Sequence, residues 1–478
     1  MGVKVNIAVV LCMILAAYPL AGCVSKTDTE SSADIIENEV DNKTEFENST
    51  NQTNTYDDNS STGQDNSNQN SLTNNTTENP EEPHFWVDYK NDHLVEEDAL
   101  ILIAGNNNNT ILLVNKDGEI VHNWTTNNNL GNDFQLLPNG DILGIFKPDV
   151  KVTSMKYGGF GGLIQIISPT GEVKWSYEIV NETALAHHDV EMLPNGNILV
   201  MVWELLNCSV AKEMGIDCPG DLTYESLYEI NITNNEVVWK WRAVDHSVQD
   251  KYPDKPHYGN ITENNHKIDF NYNTIANQLG HGDIMHANGI DYDEENQLIY
   301  LSVNYYNEIW VIDHSTNTTQ AASSGGGNYN VGGDLVYRFG NSLTYQSNES
   351  IIFINNHYPN LIEDPSKNGY ENILVFSNGG TTNISTVYEF VLPVSEYPTM
   401  TPPQIVWNYS NEELFSRIIS GAERGLNNNT YIAEGDYGVW EVNQDGEVAW
   451  KFYHGPTWRA YVHYYDEPSV QNLLAQIT

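Results

Sequence analysis

Basic side chains are scarce: 21 Lys and Arg face 65 Asp and Glu across 478 residues, a formal charge of −44. Neutralising phosphates takes clustered cations, so nucleic acid is excluded as a partner. Charge alone does not dock such a chain on anionic lipid either. Charged residues amount to 18%, too few for coiled coils or long solvent-exposed helices. No G-x-S-x-G elbow occurs, which excludes an α/β-hydrolase. No H-x-H or H-x-x-x-H pair offers a compact metal-binding spacing. Cysteine is nearly absent, with 4 in the whole chain. The one long apolar run, Ile7 to Leu20, is too short and too early for a membrane span.

What is present is aromatic and turn-rich. Tyr 28, Trp 11 and Gly 35 suit strands and turns better than helices. The length fits two or three average domains or one large β architecture.

Residues 1–22 carry Lys4 and the apolar run and read as a signal peptide. They end in Leu20-Ala21-Gly22-Cys23, a lipobox pattern at which Cys23 is expected to be lipidated. The expected location is the outer face of the cell membrane, with contact to the membrane through the lipid anchor only. Residues 23–84 are Asn, Ser, Thr, Asp and Glu with few aliphatics. Such a segment buries too little apolar area to offset its ordering entropy, so a disordered tether is expected. Export agrees with many N-x-S/T triplets, among them Asn42, Asn123, Asn231 and Asn383, which read as glycosylation sites on surface loops. It also favours a disulfide between Cys208 and Cys218, which share one loop-like stretch.

The body, 85–478, repeats two phrases. One is a turn followed by an alternating strand ending in an aromatic: Gly118 to Trp124, Gly171 to Tyr177, Glu236 to Trp241, with weaker copies at Asp334, Gln404 and Gly446. The other is a hairpin around Asn139-Gly140 and again around Asn195-Gly196. Six copies of about 65 residues predict an all-β repeat fold that closes on itself to protect its edges. A six-bladed β-propeller is expected, with Ala99–Ala104 and Ala460–Tyr464 sharing one blade; seven blades, or six plus a cap, is the alternative. Trp124, Trp175, Trp241, Trp407 and Trp450 are expected between blades. The glycine-rich run 158–162 reads as a loop beside the channel that could act as a lid.

Three histidine phrases precede inner-strand or hairpin segments: His187-His188-Asp189, His286-Ala287-Asn288 and His357-Tyr358-Pro359. Equivalent places in successive blades point to one axial pocket.

In these phrases the sequence resembles the PAPS-independent aryl sulfotransferases, exported six-bladed propellers. The likeness runs from about residue 98 to 455. It is carried by His188-Asp189 leading into Leu193-Pro194-Asn195-Gly196-Asn197, and by His286-x-Asn288 followed by Leu301-Ser302. It is carried also by His357 ahead of Ile373 to Gly379, and by Ser420 to Arg424 ahead of Asn429 to Ile432. The resemblance implies transfer of a sulfuryl group from an aryl sulfate ester to a phenol, through a sulfo-histidine. By position His357 is the nucleophile, with His188, His286 and Asn288 holding the sulfuryl oxygens. No metal, nucleotide or redox cofactor is needed. Family members carry an arginine where this chain has Asn304; Arg424 is the expected replacement cation, and Asn304 itself is expected to line the substrate.

Two other readings compete. One is a non-catalytic surface propeller that binds a ligand or protein partner. The other is a metal-dependent hydrolase using His188, His281, His286 and His357 with Asp189.

Overall fold

The computed structural model describes residues 85–150, 152, 154–155, 157–274, 282–347 and 351–478. Signal segment, Cys23 and all of the expected tether therefore lie outside the described residues, as does His281.

The alternating phrases become antiparallel sheets of at least four strands, arranged as six blades. Blade two runs Leu130–Leu136, Ile142–Phe146, Leu163–Ile167, Val173–Glu178 from the inside outward. Blade three is Ala184–Met192, Ile198–Leu206, Leu222–Asn231 and Glu236–Arg242; blade four is Ala287–Asp293, Leu298–Val303, Glu308–Asp313 and Tyr337–Phe339. Blade five is Asn356–Leu361, Ile373–Ser377, Thr386–Val391 and Gln404–Ser410; blade six begins Gly421–Arg424, Thr430–Glu434, Gly438–Val442, Val448–Tyr453.

The ring is latched twice. Blade one takes its inner strand, Thr457–Tyr464, from the C-terminal end, paired with Ala99–Gly105. Blade six gains a fifth, outer strand, Trp86–Lys90, from the N-terminal end of the body. Each latch converts an exposed strand edge into a hydrogen-bonded ladder. The C-terminal helix, Pro468–Ile477, then covers the seam, with Val470 and Leu473 buried beside Leu100 and Leu136.

Between blades the middle strands are fully buried, such as Ile142–Phe146 and Leu298–Val303. Trp124, Trp241 and Trp450 are buried at 1% exposure or less, as expected, whereas Trp175 and Trp407 are only half-buried. In both Asn-Gly turns only the glycine takes positive φ (Gly140 +86°, Gly196 +81°). A turn closed by Gly140 N–H to Leu137 O is followed by a left-handed glycine, the one position there that needs glycine. Cys208 and Cys218 are disulfide-bonded across a short helix and loop on blade three, as the sequence predicts.

Candidate functional site

The inner strands pack side by side around the axis, and most of them lose register near their start. Bulges fall between Ala186 and Val190, Ala287 and Gly289, and His357 and Pro359. At these places His188, His286 and Tyr358 take φ of +53°, +48° and +48°. Side chains of a regular strand alternate between faces; a bulge breaks that alternation and re-aims one side chain. Here it lets His187 and His188 touch each other. Non-glycine residues held in the left-handed region cost of order 1–3 kcal/mol each and cluster at functional sites.

Four imidazoles result. His188 lies edge-on to His286 with ring centroids 4.9 Å apart, and Trp458 stands 5.7 Å from His188 and 6.5 Å from His357. His187 stacks on buried Trp203 at 4.0 Å, and its Nδ1 is 2.8 Å from Nδ1 of His188. Nε2 of His187 faces Oε2 of Glu225 at 2.9 Å. His286 places Nδ1 2.6 Å from Asp283 Oδ2 and stacks on Tyr305.

His357 is bound at both nitrogens. Nδ1 lies 2.7 Å from Oδ1 of Asn378, whose amide NH₂ donates to Ser416 O and Ile419 O. That fixes Oδ1 as an acceptor, so Nδ1 of His357 carries the proton and Nε2 the lone pair. Nε2 accepts the Ile419 N–H at 3.1 Å. Ile419 and Ser420 both have positive φ, +60° and +92°.

Burial separates the four rings electrostatically. It drives His187 and His188 well below the usual histidine range, and for His188 the neighbouring His286 and His187 push the same way. His357 is pulled down to about 3 by burial, against the bond to Asn378, so it is neutral at any ordinary pH. His286 goes the other way: burial lowers it, but the Asp283 carboxylate more than offsets this and the net shift is upward.

Asn288 and Asn304 come to the same place. Both amides donate to Asn356 O, at 2.9 and 3.3 Å, and Oδ1 of Asn288 is buried without a partner. Arg424 does not join them. Its guanidinium is fixed on Glu389 at 2.6 Å and lies over Trp407, because Arg424 ends its strand on the side of blade five's outer strands. The expectation that it supplies the site's cation is corrected.

The residues matching a family model decide the chain's kinship: 87–451 match Arylsulfotransferase (ASST). The chain belongs to the arylsulfotransferase family. No curated protein matches it. Among solved structures it is similar to a protein of unknown function from Bacteroides caccae (13% identity, TM-score 0.42, covering 76% of this chain and 98% of that one). It is similar also to the β-propeller domain of Myceliophteria thermophila Cps50 (Swd1), at 8% identity and TM-score 0.35, covering 79% and 89%. These likenesses are too distant to bear on activity.

Among the described residues the buried cation beside the histidines is Arg459, which lies beyond the residues matched to the family. It projects from the closing strand, 1% exposed. Nη1 reaches Asp189 at 2.7 Å and Asp133 at 3.2 Å, Nη2 donates to Asn288 O at 2.7 Å, and the guanidinium lies 4.1 Å from the Tyr358 ring. One side chain thus ties the inner strands of blades one to five. It also lines a cavity of about 240 Å³ with Asp133, Glu191, Asp291, Glu363 and Glu423. Sequence reasoning missed Arg459, Asp133, Glu225, Asp283 and Asn378. Two carried a readable signal: Trp458-Arg459 opens the closing strand where other blades place histidines, and Asp283 stands one helical turn before His286.

The glycine-rich loop packs directly on the histidines. Gly159 O accepts the His188 N–H, and a Cβ on Gly159 (φ +84°) would stand 2.1 Å from His188 Nε2. Among the described residues no group of three or more His, Cys, Asp or Glu is placed to hold a metal ion.

Proposed function

We propose that this arylsulfotransferase moves a sulfuryl group from an aryl sulfate to a phenol, with His357 as the group carrier, at the outer face of a membrane to which lipidated Cys23 anchors it. The observation that carries the reading is the state of His357: neutral, with its proton fixed on Nδ1 by Asn378 and its lone pair on Nε2. A neutral imidazole attacks sulfur; the Nε2–S bond forms as the S–O(aryl) bond breaks, and the phenolate leaves to take up a proton. In the second half an incoming phenol gives up its proton, its oxygen attacks sulfur, and the N–S bond breaks. In this reading His188, His286 and Asn288 hold the sulfuryl oxygens, where geometry supplies most of the acceleration. For attack, the Ile419 N–H that now caps Nε2 must move aside, and the two left-handed residues at 419–420 make that peptide a place of stored strain.

The same cap favours a second reading, a ligand-binding propeller in which His357 is a structural tie between blades five and six. One experiment separates them. Purified protein is incubated with p-nitrophenyl sulfate and a phenol, following nitrophenolate release and the intact mass. Acceptor-dependent release with an added sulfo group, both lost in His357→Ala, is the expected outcome. A folded protein silent across several aryl sulfates would leave the binding reading standing.

A further inference from the structure

A sulfate ester brings a negative charge that a site of neutral rings does not balance. This inference rests on the sulfuryl-transfer reading. Among the described residues the candidate cations are already engaged: Arg459 is bound to Asp189, Asp133 and Asn288 O, and Arg424 to Glu389 in another place. Asn304 stands where the resemblance leads one to expect an arginine, and its amide contributes no charge.

His286 differs from the other three imidazoles in three ways. Its side chain is the open one, 18% exposed, whereas His187, His188 and His357 are 0–4% exposed. Its Nε2 has no hydrogen-bond partner among the described residues, so that nitrogen is left for a ligand. Its Nδ1 is held at 2.6 Å by Asp283, a carboxylate only 1% exposed. That carboxylate is itself fixed by the turn it serves: Oδ1 accepts the N–H of His286 at 2.9 Å and of Met285 at 3.3 Å. The left-handed φ of His286 folds the ring back over Asp283.

We propose that Asp283 is a positioning residue that keeps His286 as an imidazolium, and that this imidazolium is the fixed positive charge that holds the sulfate head of the substrate. An aspartate accepting from Nδ1 fixes the ring's orientation and leaves an N–H on Nε2 directed outward, a charge-assisted donor to a sulfuryl oxygen. The charged or titratable groups facing His286 are Asp283 and Glu225, which favour its proton, and His187, His188 and His357, which oppose it; the Tyr305 phenol stacks on its ring. Since the three opposing rings are neutral, the carboxylate decides.

The test uses phenyl sulfate binding by calorimetry between pH 5 and 9, together with NMR titration of the histidine rings in the wild type. His286 should be the last of the four imidazoles to lose its proton as pH rises. In Asp283→Asn the Kd for phenyl sulfate should rise about ten- to hundredfold at pH 7.5, the loss of one charge-assisted bond. The gap should narrow towards pH 9, where wild-type His286 gives up its proton while the variant's ring is neutral throughout; a merely structural loss would be the same at every pH. Wild-type His286 titrating below pH 6, a penalty independent of pH, or no phenyl sulfate binding at all overturns the proposal. Tight, pH-dependent binding without turnover supports it and sinks the transfer reading alone.

Discussion

Replacing Arg459 with methionine tests whether one buried guanidinium holds the axis of the propeller. Methionine fills much of the space but leaves Asp189 with only backbone donors, Val190 and Ile290 N–H, and Asp133 with Trp458 and the Tyr461 hydroxyl. Removing one partner from a buried ion pair costs about 3–5 kcal/mol, because the other charge stays buried without compensation. Unfolding entropy is roughly 2 cal/mol/K per residue, so a body of about 390 residues should lose about 4–6 °C in Tm. The deficit should depend on pH in a defined direction. Burial, and then the neighbouring Asp189, already push Asp133 well above the usual carboxylate range, with Arg459 opposing. Without the guanidinium the folded-state pKa of Asp133 rises further above its unfolded value. An acid raised in the folded state is penalised once pH passes its unfolded pKa, and the penalty grows up to the folded one. The variant should therefore lie furthest below wild type near pH 8 and approach it near pH 5. Thermal unfolding followed by circular dichroism at both pH values is sufficient. A Tm within 1 °C of wild type at pH 8, or an equal deficit at both, refutes the idea that Arg459 balances buried charge.

Gly159→Ala forces a Cβ to within 2.1 Å of His188 Nε2 at a positive φ; the ring must shift, and turnover of an aryl sulfate should fall about a hundredfold with a small change in Tm. Cys208→Ala with Cys218→Ala opens a loop of separation 10, which should cost about 2–3 kcal/mol in denaturant unfolding. Glu434 is pushed up to about 7, mainly by burial against its bond to Trp440. Being raised, it should erode stability as pH climbs from about 4.5 to 7, and Glu434→Gln should flatten that part of the Tm–pH curve.

The fold was legible because its determinants are periodic. Alternation in Glu236–Arg242 and the Asn-Gly turns report strands and hairpins without any tertiary knowledge, and counting phrases leads to six blades. The latches were half legible: the sharing of a blade by Ala99–Gly105 and Thr457–Tyr464 follows from leftover strands, whereas the pairing of Trp86–Lys90 with blade six has no local signature. For the site, the histidines stood out because they recur at one place in the repeat. Glu225 and Asn378 did not, since each reaches the axis from a strand or loop outside the inner layer, where acidic and amide residues are common. Arg424 misled because sequence places it at an inner strand but says nothing about which neighbour its guanidinium meets; Glu389 captured it.

The four imidazoles show how one scaffold separates roles among identical side chains. Burial alone would make all of them neutral, since desolvation penalises the charged form wherever it acts. Asn378, a neutral acceptor, fixes the tautomer of His357 without giving it charge, which is what a nucleophile requires. Asp283, a charged acceptor at nearly the same distance, gives His286 a proton that it keeps, which is what an anion site requires. Exchanging the two acceptors in chemistry but not in place, as Asn378→Asp with Asp283→Asn, should therefore protonate His357, discharge His286 and abolish transfer, at some cost in stability because the Ser416 and Ile419 carbonyls lose their Asn378 donor. Because a carboxylate raises a neighbouring histidine by favouring its charged form, NMR titration of the rings in that double variant should show His357, not His286, as the last to deprotonate. An unchanged order would mean that burial and the bulged backbone, rather than the paired acceptor, set the charge of each ring.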